Sequence, residues 1–166
     1  TYNRLFCYRR FTIFDEAGEA IIQMMATFVL MDRDSRKVRA VDSEIVAPYQ
    51  SEFSKKLLRG PKYPDLENPV SKDYHVRFYD LDMNGHVNNS KYLDWIFEVM
   101  GADFLTQHIP KKVHLKYVKE VRPGGMIASS YDLEGLQSNH QISSDGEVNT
   151  QALVTWQEFK QENEEE

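Results

Sequence analysis

The sequence predicts an α+β protein in which one long helix packs against an antiparallel sheet, built by duplication with the first copy incomplete. Three observations predict it. Residues 1–46 carry strand patterns only. From residue 71 the order becomes strand, helix, then several strands. A segment of the first half also recurs in the second at a constant offset.

The first strand is read over residues 3–14, "NRLFCYRRFTIF", where aromatic and branched side chains dominate. "DEAGE" turns the chain into a long apolar strand, Ala20–Met31; "DRDSRK" turns it again into a shorter strand, Val38–Val46. Residues 47–70 hold four of the six prolines and read as a linker with one short helical turn. "KDYHVRFY" (72–79) alternates, with Tyr74, Val76 and Phe78 on one face, and so reads as a strand. Leu93, Ile96, Phe97, Met100 and Phe104 then recur at helical spacing as one core-facing stripe, with Asn88 or Asn89 available as N-cap. Strands follow near 112–122, 126–134, 138–143 and 147–159.

"GEAIIQMMATF" from Gly18 and "GEVNTQALVTW" from Gly146 correspond at five of eleven positions with an offset of 128. Each follows a turn and heads the last long strand of its half. The expected organisation is therefore the sheet portion of a first copy over 1–46, a linker over 47–70, a second and complete copy over 71–160, and an acidic fraying tail over 161–166. Thr1 falls inside a predicted strand and is not an initiator Met, so a longer protein is expected. The shortened first sheet would leave an apolar surface for other residues or another chain to cover, a homodimer included.

At 41% hydrophobic and 12% aromatic residues the chain can bury a core. Net charge is −6, of which Glu158–Glu166 carries −4, leaving −2 on the remainder. Basic runs stand against this: Arg33, Arg36, Lys37 and Arg39; Lys55, Lys56, Arg59 and Lys62; Lys111, Lys112, Lys116, Lys119 and Arg122. They read either as solvated turns and guarded edge strands or as a landing surface for an acidic partner. A chain that is not basic overall argues against nucleic acid. The lone Cys7 excludes an internal disulfide, and neither a signal peptide nor a spanning apolar run is evident, so a cytoplasmic protein without membrane association is expected.

The stretch "DLDMNGHVNN", residues 80–89, imitates a calcium loop at its first nine positions. Lys91 stands where the twelfth position needs a bidentate Glu, a strand precedes the loop in place of a helix, and no partner loop exists. His75, His86, His108, His114 and His140 lack transition-metal ligand spacing, and His75, His108 and His140 read as surface or packing residues. No metal and no cofactor are expected. What remains is a polar turn at a helix N-terminus, with Asp82, Asn84 and His86 at i, i+2 and i+4. Free backbone N–H groups there favour developing negative charge. Asn can donate and accept, His is the side chain suited to proton transfer near neutrality, and Asp can orient either one. The set could activate water against a carbonyl or serve only as a structural turn; the residues themselves leave both open.

The run "DLDMNGHVNNSKYLDWIFE" resembles the signature of acyl–acyl carrier protein thioesterases, and "LKYVKEVRPGG" resembles that family's second motif. The resemblance implies tandem hot-dog domains, each a long helix wrapped by an antiparallel sheet. It implies catalytic roles for Asp82, Asn84 and His86, joined by Glu120. Where the family often has a Cys beside that Glu, this chain has Val121, which leaves water as the nucleophile and Glu120 or His86 as its base. Asn84 and the amides of Val87, Asn88 and Asn89 would steady the carbonyl and oxyanion. The implied partner is an acidic acyl carrier protein bearing a fatty-acyl thioester, with Lys111, Lys112, Lys116 and Arg122 as docking candidates. Acyl-CoA hydrolysis, enoyl-thioester hydration and non-catalytic acyl binding are the alternatives. The alternation of the strand sets one difficulty: Val113, Leu115, Tyr117 and Val121 form its apolar face, and Glu120 falls opposite with His114 and Lys116. Either a bulge near Val118 or a site on the opposite face is required.

Overall fold

In the computed structural model, which describes residues 1–159, the chain divides into two units, Thr1–Arg59 and a second that begins at Gly60. The predicted tail over 161–166 lies outside the described residues.

In the first unit β1 (Phe6–Phe14) pairs antiparallel with β2 (Ala20–Met31), which pairs with the two-residue β3 (Val38–Arg39). The predicted strand 3–14 starts later because the Asn3 side chain accepts from the amides of Leu5 and Phe6 and bends the chain there. The predicted strand Val38–Val46 is mostly replaced by a helical turn, α1 (Ser43–Val46). Asp42 caps it by accepting from the Glu44 amide at 3.0 Å. Ile21, Ile22, Met24 and Phe28 of β2 are exposed.

The second unit has the hot-dog fold: a helix lies over β6 and β7 of an antiparallel five-stranded sheet ordered β4-β6-β7-β8-β5. Its strands are β4 (Val70–His75), β5 (His108–Tyr117), β6 (Met126–Glu134), β7 (Gln137–Ser144) and β8 (Glu147–Glu158). The central helix is α2 (Asn89–Glu98), followed by the short α3 (Ala102–Leu105). Asp145 and Gly146 both take positive φ in the tight turn between β7 and β8, the geometry that suits hairpin twist. Gly18 likewise has positive φ, and β2 and β8, which follow the two corresponding glycines, are each twelve residues long.

Two predicted elements change here. The strand expected over 72–79 ends at His75. Beyond it, Arg77 and Asp80 cap one another around a 3-10 turn, and Phe78 and Tyr79 are 80% and 87% exposed. The single helical stripe to Phe104 is broken at Gly101, whose φ of +84° ends helical continuation. Phe104 is held on α3, stacked on His108 and edge-on to Trp156. The face of α2 that is buried carries Tyr92, Trp95 and Ile96, which pack with Met100, Val76, Ile127, Ile142, Val154 and Trp156. Residues 60–69 carry no helix or strand but cross the sheet face turned away from α2. Tyr63 sits under the Lys116 ammonium of β5, and the Glu67 amide donates to Asp132 of β6.

His140 lies in the helix-facing layer, stacked with Tyr131 and hydrogen-bonded through Nε2 to the Ser138 hydroxyl, which also accepts from the Trp156 indole N–H. Burial pushes its imidazole down to about 4 from 6.5. The unfolded chain takes up that proton below the ordinary value and the folded chain does not. Stability therefore falls as pH drops from 6.5 toward 4, by at most about 3 kcal/mol. In His140→Gln the loss is removed, so the stability gap between wild type and variant, read from urea midpoints, narrows across that window. A pH-independent gap would contradict it.

Candidate active site

Residues 80–88 form a closed turn. The Asp82 amide donates to the His86 carbonyl at 2.7 Å and the Asn88 amide to the Asp80 carbonyl at 2.8 Å, bridging Leu81 and Val87. Gly85, at φ +76°, closes the loop by donating to the Asp82 carbonyl. One Asp82 carboxylate oxygen accepts from the amides of Asn84 and His86 at 2.8 and 3.1 Å; the other accepts from the Asn84 side chain at 3.4 Å. The His86 amide leads in holding the Asp82 carboxyl below its ordinary range, against the opposing effect of burial, and the Asn84 donors add to it. Beneath, Asp80 is fully buried. Burial alone would raise its carboxyl, but the side chain and amide of Arg77 hold it low.

The turn delivers the N-terminus of α2, capped by Asn88, to a hollow of about 460 Å³. Asp82, His86, Val87, Asn88, Asn89 and Tyr92 line one side; Tyr117, Val118, Lys119 and Glu120 line the other. The question of which way Glu120 points is answered by a break in register. β5 ends at Tyr117, and the amides of Val118 and Lys119 both donate to the Asn149 carbonyl, at 2.8 and 3.1 Å. Val121 then enters the core at 3% exposure, its amide donating to the Tyr92 hydroxyl at 3.2 Å. The intervening Glu120 is thereby turned toward the turn, its Oε1 3.9 Å from His86 Nδ1. Alternation along β5 stops before Glu120, so it is not grouped with His114 and Lys116.

Two tyrosines frame the pair. Tyr117 donates to the Asn89 carbonyl at 3.0 Å and meets Tyr92 edge-on. Burial raises the Tyr92 phenol, the Val121 amide opposes this, and the negative Glu120 adds to the rise. Burial also raises Tyr117, with Tyr92 contributing.

The structure thus gathers Asp82, His86, Val87, Asn88, Asn89 and Glu120 around one hollow. Asn84 does not line it; its side-chain amide folds back on Asp82. Of the amides expected to meet an oxyanion, that of Asn88 is already committed to Asp80, while the Asn88 side chain accepts from the Ser90 amide and hydroxyl, each at 3.0 Å. Among the expected docking cations, Lys112 and Lys116 share the face of β5 turned away from α2, Lys111 falls at a register irregularity, and Arg122 lies beyond the strand. Lys119, ion-paired with Glu147, lines the hollow, as none of those four does. Among the described residues, no group of three or more His, Cys, Asp or Glu is placed to hold a metal ion, and no helix is long and apolar enough to cross a membrane. Sequence reasoning missed Tyr92, Tyr117 and Asn149. Tyr92 was signalled by its place one residue before the assigned stripe; the other two carried no signal apart from the register break.

The family model of the acyl-ACP thioesterase C-terminal domain matches residues 63–158, and that of the N-terminal domain matches residues 1–49. A Lactobacillus plantarum protein assigned as an oleoyl thioesterase superposes with a TM-score of 0.89 at 33% identity, covering 96% of this chain and 66% of that one. The 12:0-ACP thioesterase from Umbellularia californica shares the fold, with a TM-score of 0.80 at 22% identity over 94% of this chain and 64% of its own. The chloroplastic palmitoyl-acyl carrier protein thioesterase of Gossypium hirsutum is 27% identical over 150 residues, 84% of this chain and 35% of that protein. The chain spans about a third of the length of the curated relatives it matches.

The Asn88 cap fixes where α2 begins and hence where the hollow opens. Asn88→Ala is expected to lower the stability of the second unit by about 1 kcal/mol, and Asn88→Asp to retain it, in urea unfolding followed by the fluorescence of Trp95 and Trp156. Equal stability of all three proteins would contradict the cap.

Proposed function

The chain belongs to the acyl-ACP thioesterase family, and from that premise we propose that it forms the catalytic part of a hydrolase that releases free fatty acid from acyl-acyl carrier protein. The observation that carries the reading is the His86–Glu120 pair, 3.9 Å apart at the N-terminus of α2. In this reading water sits in the hollow within hydrogen-bond reach of the two side chains. One of the pair removes its proton as its oxygen adds to the thioester carbonyl carbon. The oxyanion so formed meets the positive end of α2, where the amides of Val87 and Asn89, residues that line the hollow, are the donors. Collapse breaks the C–S bond, and the leaving thiolate takes a proton, regenerating the pair. Val121 beside Glu120 carries no thiol and is buried, and the only cysteine, Cys7, belongs to the other unit, which supports water as the nucleophile. Asp82 acts by holding the turn, because the hydrogen bonds it accepts come from the turn's own amides and from Asn84.

The test is thiol release by the full-length protein from acyl-carrier and acyl-CoA thioesters of matched chain length. His86→Ala and Glu120→Gln are each expected to lower kcat on the carrier substrate by roughly 10²- to 10⁴-fold while leaving thermal unfolding unchanged. Wild-type rates in either variant would refute the assignment. Hydration of an enoyl thioester without thiol release would mark a hydratase, and tight acyl binding without turnover a binding module.

The carrier is acidic, and Lys112 and Lys116 lie four residues apart on one exposed strand face, with Lys111 and Arg122 flanking. If they receive it, Lys112→Glu with Lys116→Glu raises KM for the carrier substrate several-fold and flattens its salt dependence, with the CoA substrate unaffected. An unchanged KM ratio between the two substrates would place docking elsewhere.

A further inference from the structure

We propose that Asn149 is the positioning residue for Glu120, an inference that rests on the reading of Glu120 as part of the catalytic pair. Asn149 sits on β8, where the pairing with β7 slips: Thr150 faces Ile142 and Val148 faces Ser143, leaving Asn149 as the extra residue of a β-bulge. The bulge turns its side chain inward, to 1% exposure. Its backbone carbonyl accepts from both Val118 and Lys119, at 2.8 and 3.1 Å. Its side-chain NH2 donates to the carbonyls of Lys119 and Glu120, each at 3.4 Å. Its side-chain oxygen accepts from the Ser144 hydroxyl at 2.8 Å.

One residue therefore holds the donors and the acceptors of the segment that leaves β5. Without that clamp the segment is free to continue the alternation of β5, which would put Glu120 on the face shared with Lys112 and Lys116. The chemistry selects asparagine. The site needs a donor toward two carbonyls and an acceptor toward a hydroxyl in one planar group, and the two carbonyls, which can only accept, fix which end is which. Aspartate would set a carboxylate oxygen against both carbonyls, and an apolar residue would leave the carbonyls of Lys119 and Glu120 and the Ser144 hydroxyl, all part-buried, without this partner.

Asn149 does not itself line the hollow, so its effect on rate passes through the segment 118–120 that it holds, and a cycle with Glu120 tests whether that residue carries it. The experiment is a double-mutant cycle in the full-length protein with acyl-carrier substrate. Each variant is assayed below its own unfolding midpoint. Asn149→Asp is expected to lower kcat roughly 10- to 100-fold with KM unchanged, and to have no further effect in a Glu120→Gln background. Ser144→Ala, a milder change that tests the same clamp should Asn149→Asp not fold, gives a smaller fall that also vanishes in that background. Losses that multiply with Glu120→Gln, or wild-type kcat in both clamp variants, would overturn the positioning role alone. Full activity of Glu120→Gln would overturn the reading of the site and this proposal together.

Discussion

Burial of one face of α2 against the sheet is the constraint on which the rest of the second unit depends. Ile96, fully buried, and Trp95 and Tyr92, nearly so, leave the helix little freedom to rotate or slide. Two polar ties make the seating specific: the Ser129 hydroxyl donates to the Trp95 carbonyl at 2.9 Å, and the Tyr92 hydroxyl accepts from the Val121 amide at 3.2 Å. The second tie matters most for the site. It joins the first turn of α2 to the residue after Glu120, so the helix N-terminus and the end of β5 are placed by one interaction. A polar group buried without its partner costs more than the bond gains, which makes this tie a strong determinant of register.

The parts of this arrangement that follow from periodicity were legible in the sequence. The helical spacing through Ile96 and Met100, with strand patterns before and after it, specifies a helix on a sheet, because that spacing describes which side chains leave water. Legibility ended where a single residue overrides a period. Gly101 cuts the stripe before Phe104, Asp42 converts the end of a predicted strand into a helical turn, and the reciprocal Arg77–Asp80 cap ends β4 four residues early. The turn itself was visible as a group, since Asp82, Asn84 and His86 are close in sequence and the helix after them is strongly patterned. Glu120 was visible only as a motif position, and its alternation pointed the wrong way. Asn149 was not visible at all. In a regular β8 it would share a face with Gln151, Leu153 and Thr155, and only the slip opposite Ser143 brings it inward.

The register break after Tyr117 and the bulge at Asn149 lie together beside the hollow for a physical reason. Regular strands send successive side chains to opposite faces, so no uninterrupted β5 can bury Tyr92's partner Val121 and also present the adjacent Glu120 to a turn on the same side of the sheet. Breaking the ladder at 118–120 frees three residues from alternation, but leaves their amides and carbonyls without strand partners. The bulge on β8 offsets that cost by supplying one residue whose backbone and side chain both face the gap. The irregularities on the two strands are therefore one feature, seen from either side.

Electrostatics divides the work among the charged groups. Asp80 and Asp82 both have carboxyls held low by hydrogen bonds, Asp80 from Arg77 and Asp82 from the amides of His86 and Asn84. Their charge is spent on closing the turn, and a carboxylate stabilised in this way is a poor base, because each hydrogen bond it accepts lowers its affinity for a proton. Glu120 and His86 are placed differently. Each projects into the hollow, and each keeps about half of its side-chain surface exposed, 56% and 49%. In the proposed mechanism these two handle the proton because of that placement. The same reasoning separates Asn84 from the pair, since its side-chain amide is turned toward Asp82. For that amide to reach a substrate oxygen, the turn would have to give up the 3.4 Å contact that now helps hold Asp82 in place.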